Sequence, residues 1–374
     1  MIMTTSTTKE KIVSLQGFRA IACIAVFLSH SWAGSIVGIW GGAGATAFFV
    51  LSGFLTYITN ARKTMDGSLG GCFLFLIKRL KKIYPLHMTM LIISALLTFF
   101  LMLVGKSSLS MAEFWGGFVL NSFLFHTWIP NINIYYSFNG VSWFLSSYAF
   151  CIFIFPALFN WLGIHWSRLK AWGGILLAII LPTIIGIICI KYNLSSELRD
   201  WLLYANPVAR FFCFFCGIQA GYVLDSGSYK SNIAKDTLIE FFSIGLLYVG
   251  SNIGLINNSY IKAFSITQMI YVPGLMTLIA VLHSGNGVLK KLLSGDLLVA
   301  IGNNSMYIFL IHQFVVQCVH MFWVNCISKN LNGFVWTMAS LFFTWLGVII
   351  YKKIEKEHVL KRVYNVICQA KTGN

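Results

Sequence analysis

Long apolar runs separated by short polar stretches dominate the chain. A membrane-spanning helix needs about 20 mostly apolar residues, and ten segments meet or nearly meet this requirement. They are residues 13–33, 44–60, 86–104, 143–163, 173–190, 207–224, 237–255, 264–283, 303–324 and 334–351. The pattern predicts an all-α integral membrane protein with about ten transmembrane helices.

The composition agrees with a membrane location. Of the 374 residues, 57% are hydrophobic and 10% are charged, and the mean hydropathy is +0.77, whereas soluble domains carry about 25% charged residues. The apolar runs leave no stretch for a separate soluble domain. We therefore expect one transmembrane domain over residues 1–374, in the inner (cytoplasmic) cell membrane, with residues 1–12 and 352–374 as cytoplasmic tails.

The formal net charge of +16 is better explained by topology than by nucleic-acid binding. Lys and Arg lie in short segments between the apolar runs, and cytoplasmic loops hold the excess of these residues. With the N-terminus inside, 20 of the 27 lie in inner segments, five in outer loops and two inside predicted spans. Both termini are therefore placed in the cytoplasm, and no nucleic-acid partner is expected.

Two other features concern packing rather than chemistry. Residues 105–142 form the longest outer connection, and its aromatic residues before an Asn-rich stretch suggest an interfacial or re-entrant segment. The nine cysteines show no paired spacing, so neither a disulfide framework nor a metal site is predicted. Cys213 and Cys216 are interpreted as small helix-packing residues.

Two ionisable residues of the first predicted helix are the strongest candidates for chemistry, because such groups are costly in a bilayer. Arg19 and His30 are eleven residues apart, which places them within about 20° around the helix and about 16 Å apart along it. Imidazole can act as a general base near neutral pH. Each residue alone fits an interfacial position equally well. The shared face favours a site with a cation on the cytosolic side and a base on the outer side.

A basic run stands at the inner end of the third predicted helix, over residues 78–85 (K-R-L-K-K-I-Y-P). Cations grouped beside an aromatic ring can bind the phosphates of a nucleotide-bearing donor. Ordinary anchoring, or contact with anionic lipids, explains them as well. Arg210, just inside the sixth predicted helix, has the same two interpretations.

The ninth predicted helix opens with a polar turn, in which an Asn or Ser side chain is expected as the N-cap. His312 lies about 12 Å further along this helix, near the middle of the bilayer. With Ser305 it is interpreted as a pocket wall, and a hydrogen bond between helices is the alternative.

Four motifs in order resemble the acyltransferase-3 family of membrane O-acyltransferases. Residues 15–20 (L-Q-G-F-R-A) with His30 resemble the family's L-D-G-L-R-G, which ten residues separate from a His. Residues 48–54 resemble F-F-V-L-S-G-F, residues 79–85 resemble R-x-x-R-I-Y-P, and residues 305–312 resemble S-Y-S-L-Y-L-x-H. The motifs are distributed over most of the chain.

The resemblance implies an acyl-CoA-dependent enzyme in which His30 is the catalytic residue and Arg19 supports donor binding. The basic motif then receives acyl-CoA from the cytosol, with contacts expected at Lys78, Arg79, Lys82, Tyr84 and Arg210. Pocket residues are expected at Ser52, Trp143, Ser146, Tyr148, Ser305, Tyr307 and His312.

Three positions depart from the family pattern. Gln16 replaces the usual Asp, and Lys82 replaces the second Arg, which keeps the charge but loses bidentate geometry. Residues 143–148 (W-F-L-S-S-Y) align with W-S-L-S-V-E, so that Tyr148 stands where many members carry Glu. Whether a residue here orients the His or positions the acceptor is therefore open.

Together these features predict transfer of an acyl group, acetyl by default, from cytosolic acetyl-CoA to a hydroxyl of a cell-surface or lipid-linked carbohydrate. His30 would act as a general base or, alternatively, carry the acyl group itself. Acetyl-CoA is expected as a substrate rather than a permanently bound cofactor, and membrane lipids and further copies of the chain are expected neighbours.

The main rival is a transporter or flippase of a glycolipid or small metabolite, since intramembrane His and Arg suit it equally, although paired broken helices are not visible. A receptor or scaffold is a third alternative, which lacks an appended soluble module. The sequence does not identify the acceptor.

Overall fold

A computed structural model of the chain describes residues 4–31, 34–253, 256, 258–327 and 332–372, and the regular elements in these ranges are helices. They are α1 (Thr4–His30), α2 (Gly34–Asn60), α3 (Leu69–Leu80), α4 (Tyr84–Leu103), α5 (Met111–Ser122), α6 (Ile132–Tyr135), α7 (Trp143–His165), α8 (Arg168–Lys191), α9 (Ser196–Asp200), α10 (Pro207–Asp225), α11 (Ile233–Ile253), α12 (Ser259–Ile266), α13 (Val272–Ser284), α14 (Val288–Leu293), α15 (Asp296–Asn303), α16 (Ser305–Cys326) and α17 (Gly333–Thr372). Single turns of other helix types at His126–Trp128, Gly140–Ser142, Trp201–Ala205 and Met269–Tyr271 join some of them.

Eight helical stretches of the described chain are long and apolar enough to cross a membrane. They are Val13–His30, Trp40–Asn60, Tyr84–Leu103, Gly140–Gly163, Arg168–Lys191, Ser196–Asp225, Ser305–Cys326 and Gly333–Glu357. Each coincides with one of the ten predicted segments. The predicted all-α membrane class is confirmed.

The two other predicted segments behave differently. Segment 237–255 corresponds to α11, and segment 264–283 corresponds to α12 and a shorter apolar helix, Met269–Ser284. The count of ten spans therefore stays a prediction, as does the cytoplasmic placement of the termini. Residues 32, 33, 254 and 255 of the predicted segments, and residues 1–3, 373 and 374 of the predicted tails, lie outside the described residues.

The helices extend beyond several predicted boundaries. The first begins at Thr4 and the last continues to Thr372, so that both predicted tails are largely helical. The outer connection 105–142 folds into α5, α6 and short turns rather than an open loop. Strong helix formers such as Lys and Glu sustain a helix past the end of its apolar run, which explains the longer last helix.

Glycines allow the central helices to approach closely. A Cβ atom on Gly53 would lie 1.9 Å from the carbonyl oxygen of Phe214, and one on Gly217 would lie 2.0 Å from that of Val50. Helices α2 and α10 are thus in backbone contact. Helix α1 packs in the same way against the segment before α15, since a Cβ on Gly17 would lie 1.8 Å from the oxygen of Leu293.

Helices α1 and α16 run parallel in the centre of the molecule. The Sγ atom of Cys23 lies 3.5 Å from the carbonyl oxygen of Ser305. Seven residues further along each helix, His30 contacts His312. Because the spacing is equal on both helices, α1 and α16 stay in register over these two contacts. This register brings the two histidines of the candidate site together.

Candidate functional site

Two histidines that are far apart in the sequence meet on the parallel helices α1 and α16. His30 Nδ1 lies 3.2 Å from His312 Nε2, and the two ring centroids are 5.1 Å apart. His312 is buried and also touches the rings of Phe27 and Phe309. The predicted helix-to-helix contact of His312 thus exists, and its partner is the predicted catalytic residue.

Backbone carbonyls assign the tautomers of both rings. His312 Nδ1 lies 2.8 Å from the oxygen of Phe309 and 3.2 Å from that of Ile308, and His30 Nδ1 lies 2.9 Å from that of Val26. A carbonyl oxygen only accepts, so both Nδ1 atoms carry the hydrogen. His312 Nε2 is then the acceptor for the Nδ1–H of His30. The remaining nitrogen of His30, Nε2, keeps its lone pair, which is the form a general base requires.

A cavity of 510 Å³, called the central cavity below, borders His30. It is lined by polar and aromatic side chains together with small residues that leave room. The residues that matter for a ligand are Ser29, His30, Tyr136, Trp143, Tyr204, Phe309, Gln313 and Gln317. Aromatic faces and amide groups are the surfaces on which hydroxylated rings are held.

Four aromatic rings in mutual contact, called the aromatic layer below, lie between this cavity and the basic side of the molecule. They are Phe48, Phe144, Tyr148 and Phe309. Phe309 borders the cavity, whereas Arg19 and Arg79 lie near Tyr148. Arg19 and His30 therefore share a helix but lie at opposite ends of the layer, and the central cavity borders only the latter.

Among the side chains that the structure describes, Arg19 forms no ion pair, and it lies near Tyr148. Its Nη1 atom donates to the Oε1 atom of Gln16 at 3.3 Å. Because Gln16 is neutral where the family pattern has Asp, this contact orients the guanidinium without neutralising it. The departure at Gln16 thus leaves a cation available beside the aromatic layer.

Cations surround Tyr307 at the start of α16. The Nζ atoms of Lys82 and Lys352 lie 5.9 and 5.8 Å from its ring centroid, and its hydroxyl donates to the Oε2 atom of Glu355 at 3.0 Å. Lys82, Lys352 and Arg79 are called the inner basic group below. Lys352 was not among the predicted donor residues, because its place beside Tyr307 depends on the packing of α17 against α16.

Two other predicted donor residues have different surroundings. Lys78 is exposed on α3, one position before Arg79. Tyr84 donates its hydroxyl to the carbonyl oxygen of Ser122 at 2.7 Å and so joins α4 to α5.

The structure does not place Arg210 in the inner basic group. It is fully buried, its Nη2 atom donates to the carbonyl oxygens of Leu203 and Thr267 at 2.8 and 3.1 Å, and its guanidinium lies 4.8 Å from the ring centroid of Tyr204. Because Tyr204 lines the central cavity, Arg210 belongs to that side of the molecule. The sequence could not show this, since the loop carrying Thr267 is remote along the chain.

Of the predicted pocket residues on α2, α7 and α16, one lines the central cavity and others are used in helix packing. Trp143 lines the central cavity. The Ser146 hydroxyl donates to the carbonyl oxygen of Leu124 at 2.5 Å and accepts from the Thr127 hydroxyl at 2.6 Å, so it is used in packing. Ser52 is half-buried on α2 and Ser305 is buried.

An Asn occupies the N-cap position of the ninth predicted helix as expected, but its side chain does not make the expected capping hydrogen bond. Asn304 occupies the cap position without a side-chain hydrogen bond to the helix start. Its Nδ2 atom donates to the carbonyl oxygen of Ala300, and its Oδ1 atom accepts from Lys352 at 2.8 Å. The side chain thus joins α15, α16 and α17.

Sequence reasoning missed several cavity residues. Tyr136 and Tyr204 lie in short segments before α7 and α10, and hydrophobic periodicity does not reveal how these segments fold. Gln313 and Gln317 offered a signal, because two amides four residues apart inside an apolar span, directly after His312, lie on one face of the helix.

One carboxylate joins α5 to the segment that borders the central cavity. Glu113 completes a capping box with Ser110 at the start of α5, and it accepts a hydrogen bond from the Nδ2 atom of Asn133 at 2.9 Å. The hydrogen bonds from Asn133 and then Ser110 lower the pKa of the Glu113 carboxyl to about 2. Glu113 thereby fixes the segment that carries Tyr136.

Comparisons with known proteins identify relatives of the chain. A family model described as an acyltransferase domain matches residues 12–353. The acyltransferase MdmB of Streptomyces mycarofaciens is 25% identical over 340 residues, which cover 83% of this chain and 80% of that protein. No solved structure matches the chain.

Proposed function

The chain belongs to the acyltransferase-3 family, and from that premise we propose that it transfers an acetyl group from acetyl-CoA to a hydroxyl group of a carbohydrate, with His30 as the general base. Membership of this family supports acyl transfer in general. The donor, the acceptor and the base are our proposal. The observation that carries it is the free Nε2 atom of His30 at a cavity lined by aromatic and amide side chains.

The reaction exchanges one bond for another at the thioester. The acceptor oxygen attacks the thioester carbonyl carbon while His30 Nε2 takes its proton, and the carbon–sulfur bond then breaks. The imidazolium returns the proton to the leaving thiolate. Positive charge on His30 strengthens the Nδ1–H bond to His312, so the second ring stabilises the charged intermediate form without entering the reaction.

Donor binding is assigned to the basic side of the aromatic layer. Arg79, Lys82 and Lys352 offer three cations for the phosphates of CoA, and Arg19 lies near Tyr148 of the layer. The pantetheine arm then passes the layer to bring its thioester to His30. This route requires both termini and the inner basic group to be cytoplasmic. It also requires about ten membrane crossings, of which α11 and the α12–α13 segment provide two.

Acceptor binding is assigned to the central cavity. Tyr136, Trp143 and Tyr204 provide ring faces, and Gln313 and Gln317 provide amides that can pair with sugar hydroxyls. Because these residues lie at the His30 end of α1, the acceptor approaches from the outer side of the cell membrane. An acyl-imidazole on His30 is the alternative chemistry, and it uses the same nitrogen.

The decisive experiment measures acetyl transfer by the purified protein. Labelled acetyl-CoA is incubated with glycan and lipid extracts of the producing cell, and both free CoA and acetylated products are measured by mass spectrometry. His30→Ala should lower transfer by at least about 100-fold, the usual range for a general base. His165→Ala, at the exposed end of α7, should leave the rate unchanged.

Two results would count against the proposal. Full activity of folded His30→Ala excludes this residue as the base. Movement of an unmodified glycolipid across vesicles by the wild-type protein, without thioester cleavage, would support a transporter instead.

A further inference from the structure

A second cavity, of 530 Å³, borders His30 on another side. It lies between α4, α16 and α17 and is called the lateral cavity below. It shares His30, Gln313 and Gln317 with the central cavity. A ligand can therefore occupy both cavities while it passes the same imidazole.

The lateral cavity changes character along its length. Apolar walls come from Leu97 and Leu101 of α4 and from Trp336 of α17, whereas Lys106 lies at the end beyond α4. From Gln313 to Met321 the cavity follows α16 for about 12 Å. The lining is mixed, since Thr98, Ser107 and His320 also border the cavity. A cleft with an apolar wall and a cation at one end suits a hydrocarbon chain that carries an anionic group.

The cavity is bordered by helix faces that are exposed and apolar. On α4 these faces carry Leu96, Phe100 and Leu103, which are 58–68% exposed, and Phe322 of α16 and Phe334 of α17 are 61% and 65% exposed. Surfaces of this kind face lipid in a membrane protein. The occupant of the cavity therefore comes from the bilayer, whereas the polar central cavity receives the hydroxylated part.

We infer that the acceptor is a lipid-linked carbohydrate, with its sugar in the central cavity and its hydrocarbon chain and anionic linkage in the lateral cavity, the anion facing Lys106. This inference rests on the proposed function and narrows its acceptor class. The lipid carries the sugar hydroxyl to His30 from the outer leaflet, so that the acceptor need not leave the membrane. An ordinary phospholipid fills the apolar part but has no sugar for the central cavity.

Photocrosslinking of the purified full chain tests the cavity without requiring catalysis. The probe is dodecyl phosphate with a diazirine in its chain, and diazirine-labelled phosphatidylglycerol serves as the comparison. Thr98→Phe places a ring in the lateral cavity. Thr89→Phe is the matched control, because Thr89 lies on the same helix, makes the same hydrogen bond to its own backbone, and is exposed.

The alkyl phosphate should crosslink to α4 between Leu97 and Leu101. Thr98→Phe and Lys106→Gln should each lower this yield at least fivefold, and Thr89→Phe should not. Labelling elsewhere, or equal labelling by phosphatidylglycerol that competes fully with the alkyl phosphate, overturns the inference, because the cavity is then a general lipid site.

A second measurement separates this inference from the proposed function. Acetyl transfer from acetyl-CoA is followed into the lipid extract and into the water-soluble glycans of the producing cell. Thr98→Phe should lower transfer into the lipid fraction at least tenfold, and acetylation confined to water-soluble glycans overturns the lateral cavity's role. Retained transfer in His30→Ala refutes the proposed role of His30 instead. The crosslinking experiment then still tests the lateral cavity, because it does not require catalysis.

Discussion

The Nε2 atom of His312 accepts a hydrogen bond from the Nδ1 atom of His30 across two parallel helices, at 3.2 Å. The backbone carbonyl at Val26 accepts from the same Nδ1–H. Two acceptors on one nitrogen fix both the tautomer and the ring orientation of His30. His312 is therefore a positioning residue, comparable in role to the group that orients the base in other acyl-transfer sites.

Replacing His312 tests this relationship. His312→Phe keeps a ring beside Phe27 and Phe309 but removes the acceptor, whereas the amide oxygen of His312→Gln can still accept. A hydrogen bond to a charged group is worth about 1.5 to 3 kcal/mol, so His312→Phe should lower kcat on the order of 10- to 100-fold. His312→Gln should retain activity within several-fold. Steady-state rates at varied acetyl-CoA concentration provide the measurement.

The pattern of the two variants is decisive, together with the split between kcat and KM. A positioning role affects kcat and leaves KM for acetyl-CoA unchanged, because the donor phosphates bind on the far side of the aromatic layer. Equal losses in the Phe and Gln variants, with unchanged folding, would show that only the size of the side chain matters.

Tyr148 gives a second prediction, on the donor side. Arg79 and Arg19 both lie near its hydroxyl, and its ring stacks on Phe144. Tyr148→Phe keeps the stacking and removes the hydroxyl, which should loosen the placement of both cations. Because both cations belong to the donor side of the aromatic layer, KM for acetyl-CoA should rise several-fold with little change in kcat.

The matched control is Tyr248→Phe, which removes a hydroxyl from an exposed ring of α11. It should leave both constants unchanged. A fall in kcat for Tyr148→Phe at constant KM would instead place this hydroxyl at the reacting atoms.

Much of this architecture follows from the sequence, because lipid requires long apolar helices whose backbone is satisfied internally. Eight spans, the basic motif and His30 could be found in this way. Contacts between helices could not. The pairing of His30 with His312 joins residues 282 positions apart, and it depends on a helix register that no local pattern encodes. Arg210 shows the same limit, since its partners come from a turn that precedes its own helix and from a distant loop.

The glycines of the motifs illustrate another part of this limit. As sequence, Gly17 marks a family motif next to Arg19. In the structure it is a packing position, where a Cβ would collide with the carbonyl oxygen of Leu293. A motif that resembles a functional signature thus combines chemistry at one residue with backbone contact at another.

Gly17→Ala should therefore reduce stability rather than chemistry. Overpacking costs about 1 to 3 kcal/mol, and the colliding atom is backbone that cannot turn aside. We expect a lower melting temperature and a lower yield of monodisperse protein in detergent. Gly245→Ala is the control, because a Cβ there meets nothing within 4 Å, and Ala is the better helix former. Equal melting temperatures for the two variants would contradict the close contact between α1 and Leu293.

Glu113 provides a pH-dependent prediction at the outer connection. Hydrogen bonds from Asn133 and Ser110 lower the pKa of its carboxyl to about 2, whereas an unfolded Glu has a pKa near 4.3, an approximate reference value. A group whose pKa is lower in the folded state stabilises that state above its unfolded pKa, and this contribution is lost as the pH falls through the folded value. Glu113→Gln should therefore lower the melting temperature at pH 7, and the difference from wild type should shrink below about pH 4.5 and disappear near pH 2.

Hydrogen exchange of residues 110–136 should show the same pH dependence, because these hydrogen bonds join α5 to the segment that carries Tyr136. A difference that stays constant from pH 7 to pH 2 would mean that the charge of Glu113 does not hold this segment in place.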